Sequence, residues 1–225
     1  CPAPDYGQGT NTVTAQLAAE TFGVPRERIE LVNADTATTP DSGIQGASRA
    51  TYFVGRSVCF AAQNLKREIF AAAAEMRDRA PADLALDVDR VVCASDPSRT
   101  VTLAAVAGEM DRLGKSRKVI GAFDLTPVFP DDARPEYIPC FVTGAQLAQV
   151  IVSMETGQVQ VVRMVAAHDV GRAINPPGAV GQIQGAVVMG LGTTLMERYV
   201  PGASTGFTDY LLPMVTEVPE LRVIL

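Results

Sequence analysis

The sequence predicts an α+β protein built from two-layer mixed-sheet α/β subdomains. Three observations point there. Segments with helical spacing of apolar residues alternate with short strand-like runs, without any repeat of fixed period. A proline-rich stretch over residues 126–139, with Pro127, Pro130, Pro135 and Pro139, marks a boundary between two parts. The 225 residues are 47% hydrophobic and 20% charged, enough apolar surface for each part to bury a core. The expected subdomains are therefore residues 1–125 and residues 126–225, the second truncated at its C-terminal end.

The elements follow in order. Residues 1–9 form a loop or strand end punctuated by Pro2, Pro4, Gly7 and Gly9. Val13, Leu17 and Ala18 fall at helical spacing and predict a helix over residues 10–22, with Thr10, Asn11 or Thr12 as its cap. Gly23-Val24-Pro25 stops it. Residues 29–32 read as a short strand, and residues 33–48 as a polar loop. A long helix then keeps Val54, Val58, Ala61, Leu65, Ile69, Ala72 and Met76 on one face. Residues 84–93 alternate as a strand, Asp96-Pro97-Ser98 is a turn, and Thr102 caps a helix through Leu113. Residues 119–123 suggest another strand. Beyond the prolines, residues 147–154 and 159–166 form a hairpin about Glu155-Thr156-Gly157. A glycine-bearing helical pattern follows, and Arg222-Val223-Ile224-Leu225 reads as the middle of a strand, as in a fragment or split polypeptide.

Composition narrows the function. A formal net charge of -6 argues against nucleic acid, whose phosphates call for a surplus of Lys and Arg. The longest apolar stretch, residues 183–196, is too short and glycine-rich to span a membrane. The chain opens on Cys1-Pro2-Ala3-Pro4 with no secretory signal in view, and a cytoplasmic setting is expected. Cys1, Cys59, Cys93 and Cys140 lie far apart, and His168 is the one histidine, so no metal-ligand set is expected within the chain.

Three glycine-containing segments stand out. In the first, Tyr6-Gly7-Gln8-Gly9-Thr10, the glycines allow close backbone approach, and the following helix start offers N–H groups to an anion. A tight turn with a cap explains it equally simply. The second runs from Asp35-Thr36 to Gly46-Ala47-Ser48-Arg49. Its end could present amides, a hydroxyl and a guanidinium to phosphate, with small residues leaving room for a bulky cofactor. The plain alternative is a Ser48 cap with Arg49 on the surface. The third joins His168-Asp169-Val170-Gly171, Asn175-Pro176 and Gly181-Gln182-Ile183-Gln184-Gly185. Asp169 and Asn175 suit loop amides, Gln182 offers two donors and an acceptor to a heterocycle edge, and the glycines let this helix approach a backbone or ligand. His168 reads as a structural hydrogen-bonding residue.

Taken in order, these segments resemble the molybdenum-cofactor-binding region of the xanthine dehydrogenase/aldehyde oxidase family of molybdenum hydroxylases, and the resemblance covers nearly the whole chain. It implies a molybdopterin-binding domain. Gln8 and Gly9 would contact the pterin–dithiolene part of the cofactor. Gly46, Ala47, Ser48 and Arg49 would line the metal-proximal pocket and the phosphate side, and Gln182 would hydrogen-bond the pterin. The metal would be held by dithiolene sulfurs, which accounts for the scarcity of His and Cys.

The resemblance also implies oxidative hydroxylation, with a molybdopterin in its cytosine dinucleotide form. Iron–sulfur clusters and FAD are expected on other domains or subunits. The family's catalytic glutamate belongs to a segment beyond the equivalent of Leu225, so no catalytic residue is assigned here. The Thr208-Asp209-Tyr210-Leu211-Leu212-Pro213 segment resembles xanthine dehydrogenase-like enzymes acting on purines or other N-heterocycles. An aldehyde oxidoreductase of the same family is one alternative; a non-catalytic scaffold that pairs with other chains, including the rest of the molybdenum domain, is another.

Overall fold

The computed structural model describes residues 1–43, 45–46, 49–78, 80–123 and 142–225. It divides into two compact units, Cys1–Arg134 and Pro135–Leu225. The proline-rich connector expected over residues 126–139 lies outside the described residues.

The first unit opens with α1 (Thr10–Phe22), which ends at Gly23 in the left-handed region (φ 89), its N–H donating to Ala19 O. A π turn, Ala50–Val54, leads into α2 (Gly55–Arg77). Gly55 is where the two helices meet. A Cβ there would stand 2.8 Å from Leu17 Cδ1, so hydrogen is what lets α1 and α2 close. Three antiparallel strands follow: β1 (Leu84–Asp87), β2 (Arg90–Cys93) and β3 (Asp96–Thr102). The unit is completed by α3 (Leu103–Arg112), capped as expected by Thr102, whose Oγ1 accepts from Ala105 N at 3.2 Å. Ile69, Ala72 and Ala73 of α2, Val91 and Val101 of the sheet, and Val106 and Met110 of α3 form one buried cluster.

Several local expectations need correction. Residues 84–93 are two strands, not one, because the chain reverses at Val88, a valine with φ 53. The predicted turn at Asp96-Pro97-Ser98 is instead the start of β3, where Pro97 sits on an edge strand and gives up no ladder bond. Residues 29–32 form no strand; Val32 O instead accepts from Cys1 N at 2.9 Å. Residues 119–123 are not a strand either: Gly121 lies directly against the α2 backbone at Ser57 and Ala61, where no second strand can run. Met76, expected on the apolar face of the long helix, is 37% exposed at its C-terminal end.

The second unit contains the expected hairpin, β4 (Gly144–Val152) and β5 (Val159–His168), paired from Gly144↔His168 to Val152↔Val159. From β5 the chain passes through α4 (Pro176–Leu195) to β6 (Glu220–Ile224), which pairs parallel to β5. Antiparallel strands need only a turn, whereas parallel ones need a crossover, and α4 lies on that crossover. Asn175 caps α4 by accepting from Gly178 N at 3.2 Å, and Pro176 follows where the missing N–H costs nothing. Met164 and Ala166 of β5 pack with Val187 of α4, leaving all nine residues of the edge strand β4 exposed. The described residues thus form an α+β architecture of two small sheets and four α-helices. None of those helices is long and apolar enough to cross a membrane.

Candidate functional site

At the head of α1 the chain makes a compact turn. Gly7 (φ 113) and Gly9 (φ 87) both take backbone conformations that side chains disfavour, and Gly9, not a threonine or asparagine, is the N-cap. The cap is supplied from a distance by Asp5. Its Oδ1 accepts from Gly7 N at 2.9 Å and Gly9 N at 3.1 Å, and its Oδ2 from Asn11 N at 2.9 Å. The Asn11 amide and then that of Gly7 hold this carboxyl below the usual carboxylate range against desolvation, and the Gly9 amide adds least. Gln8 is equally committed. Its Oε1 accepts from Tyr6 N at 2.6 Å, and its Nε2 donates to Pro4 O at 3.2 Å and Thr10 Oγ1 at 2.8 Å. The N–H groups of Gly7, Gly9 and Asn11 are therefore already occupied from within the chain.

The second predicted segment begins with an Asp35 turn, whose carboxylate accepts from Ala37 N and Thr38 Oγ1. At its far end Gly46 O accepts from Arg49 N at 3.1 Å, and nothing stands within 4 Å of where a Gly46 side chain would begin. Ala47 and Ser48 lie outside the described residues. Among the described residues Arg49 closes on no carboxylate; its guanidinium stacks 5.3 Å from the Phe53 ring centre, and Arg56 stacks at 4.8 Å on Tyr52 and 5.1 Å on Phe123. Beside Gly46, the side-chain oxygen of Gln45 is buried without a hydrogen-bond donor, a deficit that costs about 1–3 kcal/mol.

The third segment lies in the second unit. Asp169 Oδ1 accepts from Gly171 N at 2.9 Å, in the role its type suggested. Gln182 is exposed on α4 and lines a groove of about 740 Å³ between that helix and the hairpin. One part of the lining is polar, where Gln146 Nε2 and His168 Nε2 lie 3.2 Å apart; apart from Gln182 and Thr194 the rest is apolar, including Val161, Ile183 and Val187. Gly181 and Gly185, expected to admit a close approach, face open space, as does Gly190; Gly192 is the α4 glycine in close contact, a Cβ there falling 2.9 Å from Pro213 Cδ. Among the described residues no three His, Cys, Asp or Glu side chains gather as a metal site.

Gln146, Gln45 and Asp5 were not singled out from sequence. Gln146 precedes the predicted strand and gains meaning only when β4 pairs it beside the end of β5. Asp5 did carry a signal, since an Asp two residues before a glycine favours a side-chain-to-amide turn.

The family model for the molybdopterin cofactor-binding domain matches residues 1–219. The chain belongs to that family. A putative xanthine dehydrogenase molybdenum-binding subunit of Escherichia coli K12 is 30% identical to this molybdopterin cofactor-binding domain over 98% of the chain and 29% of the relative. The 6-hydroxypseudooxynicotine dehydrogenase complex subunit gamma of Paenarthrobacter nicotinovorans is also 30% identical, over 96% of the chain and 27% of the relative. The crystal structure of quinoline 2-oxidoreductase from Pseudomonas putida 86 superposes with a TM-score of 0.77 at 25% identity, covering 98% of this chain and 28% of that one. The chain thus spans less than a third of the length of the curated relatives it matches.

For a molybdopterin cofactor-binding domain, the donor set fits unevenly. Two carboxamides and an imidazole on one groove suit a heterocycle whose edge carries both donors and acceptors. The unsatisfied Gln45 oxygen beside Gly46 is an acceptor lacking a donor. Gln8, by contrast, has no N–H to spare in its present rotamer, and the amides of Gly7 and Gly9 are taken.

Proposed function

We propose that residues 1–225 are the cofactor-cradling portion of a molybdenum hydroxylase that oxidatively hydroxylates a purine or other N-heterocycle. The observation that carries this reading is the groove on α4, where Gln182 joins Gln146 and His168 along an otherwise apolar wall. The cofactor, a molybdopterin in its cytosine dinucleotide form, supplies the redox chemistry when bound. The chain's own residues supply position. Gln182 offers amide donors and an acceptor to the pterin edge. Gln8 and Gly9 shape the turn facing the pterin–dithiolene part. Gly46, Ala47, Ser48 and Arg49 line the metal-proximal and phosphate side, where the Arg49 guanidinium keeps its N–H edges free while its face rests on Phe53.

The proposed subdomains are residues 1–125 and 126–225. Iron–sulfur clusters and FAD sit on other domains or subunits of a cytoplasmic complex and carry electrons away. Names of relatives that refer to xanthine, a hydroxypseudooxynicotine and quinoline support an N-heterocyclic substrate.

Molybdenum and organic phosphate per chain, measured on the native assembly containing this domain, test the reading. Near-stoichiometric molybdenum, with one cytidine nucleotide released per metal on acid treatment, is the expected result, and Gln182→Ala lowers both several-fold. A folded assembly free of molybdenum would leave a non-catalytic scaffold.

A further inference from the structure

Proteins commonly bind a phosphate on the N–H groups at a helix start, and the Gly7-Gln8-Gly9 turn ahead of α1 has the glycines and the helix for such a site. It is filled, however, by a carboxylate of the same chain. Three N–H groups, from Gly7, Gly9 and Asn11, converge on the two oxygens of Asp5 at 2.9–3.1 Å. The residues on either side hold Asp5 in place. Ala3 is fully buried, Cys1 O accepts from Ala34 N at 3.1 Å, and the Asn33 side chain donates to that of Asn11. Within the loop so closed, Gln8 folds back on Tyr6, Pro4 and Thr10.

We propose that Asp5 is the built-in counter-anion of this turn, a positioning residue that holds Gly7-Gln8-Gly9 in binding shape before any cofactor arrives and closes the head of α1 to the cofactor's phosphate. This rests on the cofactor reading above and deepens it by dividing the labour. The turn meets the uncharged part of the cofactor, and phosphate recognition falls to other groups. Gln8 then needs only a side-chain rotation to exchange its contacts with Tyr6, Pro4 and Thr10 for a ligand, because the amides of Gly7, Gly9 and Asn11 stay pinned by Asp5. A pre-formed turn spares the ordering cost that a floppy glycine loop would meet on binding.

The experiment uses the native assembly containing this domain, as wild type, Asp5→Ala and Asp5→Asn. Site-resolved hydrogen exchange of the cofactor-depleted assembly is followed at Gly7, Gly9 and Asn11, and molybdenum and organic phosphate are measured on the loaded one. Asp5→Ala is expected to speed exchange at the three amides at least tenfold (about 1.4 kcal/mol) and to lower cofactor retention. Added acetate, the missing carboxylate as a free ion, restores both, while Asp5→Asn falls between because it keeps one acceptor oxygen.

Unchanged exchange and retention in Asp5→Ala would overturn the proposal. So would losses that acetate does not repair, which mark a folding defect. Inorganic phosphate that further protects these amides in the wild type would also overturn it, since the head of α1 would then be open. A wild-type assembly with protected, Asp5-dependent amides but no molybdenum would sink the cofactor reading alone and leave the counter-anion in place.

Discussion

Asp5 ties its three amides together only while it is ionised, and a pH dependence follows at the scale of this single residue. Its carboxyl is held below the ordinary range, first by the Asn11 amide and then by that of Gly7. A carboxyl with a lowered folded pKa contributes stability that is fully present above its unfolded value of about 3.9 and is lost as the pH falls through the folded value. Protection of the Gly7, Gly9 and Asn11 amides, corrected for intrinsic exchange, should therefore stay level from neutral pH down to about 4 and drop below it. Asp5→Asn should show no such drop. A drop of equal size in the Asn variant would assign the effect to some other group.

Each helix start uses a different device, so the elements differ in how a mutation reaches them. Thr102 caps α3 with its own hydroxyl, and Thr102→Ala should cost about 1 kcal/mol, read as roughly fivefold faster hydrogen exchange along α3 with α4 unaffected. The cap at Thr102 was legible in the sequence because a side chain of the right type stands at the cap itself, and Asn175, read as a residue that satisfies loop amides, caps α4. The cap of α1 was not, because its carboxylate comes from Asp5, four residues ahead of Gly9. The long helices and the hairpin were legible from periodicity. The β1–β2 reversal was not, since Val88 is a β-branched residue in a left-handed conformation and gives no turn signal. Residues 119–123 are a short apolar run that reads as a strand, yet Gly121 draws them onto α2 instead. Of the candidate site, Gln182 was readable as an amide on a glycine-bearing helix, whereas Gln146 joined it only through strand pairing over 22 residues of sequence.

At the scale of the whole molecule, the exposed edge strand is the dominant liability. Leu147, Val150, Ile151 and Val152 of β4 are 47–59% exposed, and the outer backbone edge of the strand is unpaired among the described residues. Open apolar edges recruit further strands. Residues 1–225 purified alone should self-associate by light scattering, and Val150→Lys with Ile151→Lys should shift the population toward monomer; a clean wild-type monomer would contradict this. The same sheet has a history in time. Its hairpin closes between near neighbours, but Arg163 meets Glu220 only after 57 further residues have been made, with the three hydrogen bonds of that ion pair waiting on its arrival. At ribosomal speeds of about 5–20 residues per second, roughly 3–11 s separate the two events. During synthesis β5 is therefore a strand with one finished side and one bare side, and the nascent chain must hold that side unclaimed until β6 leaves the ribosome.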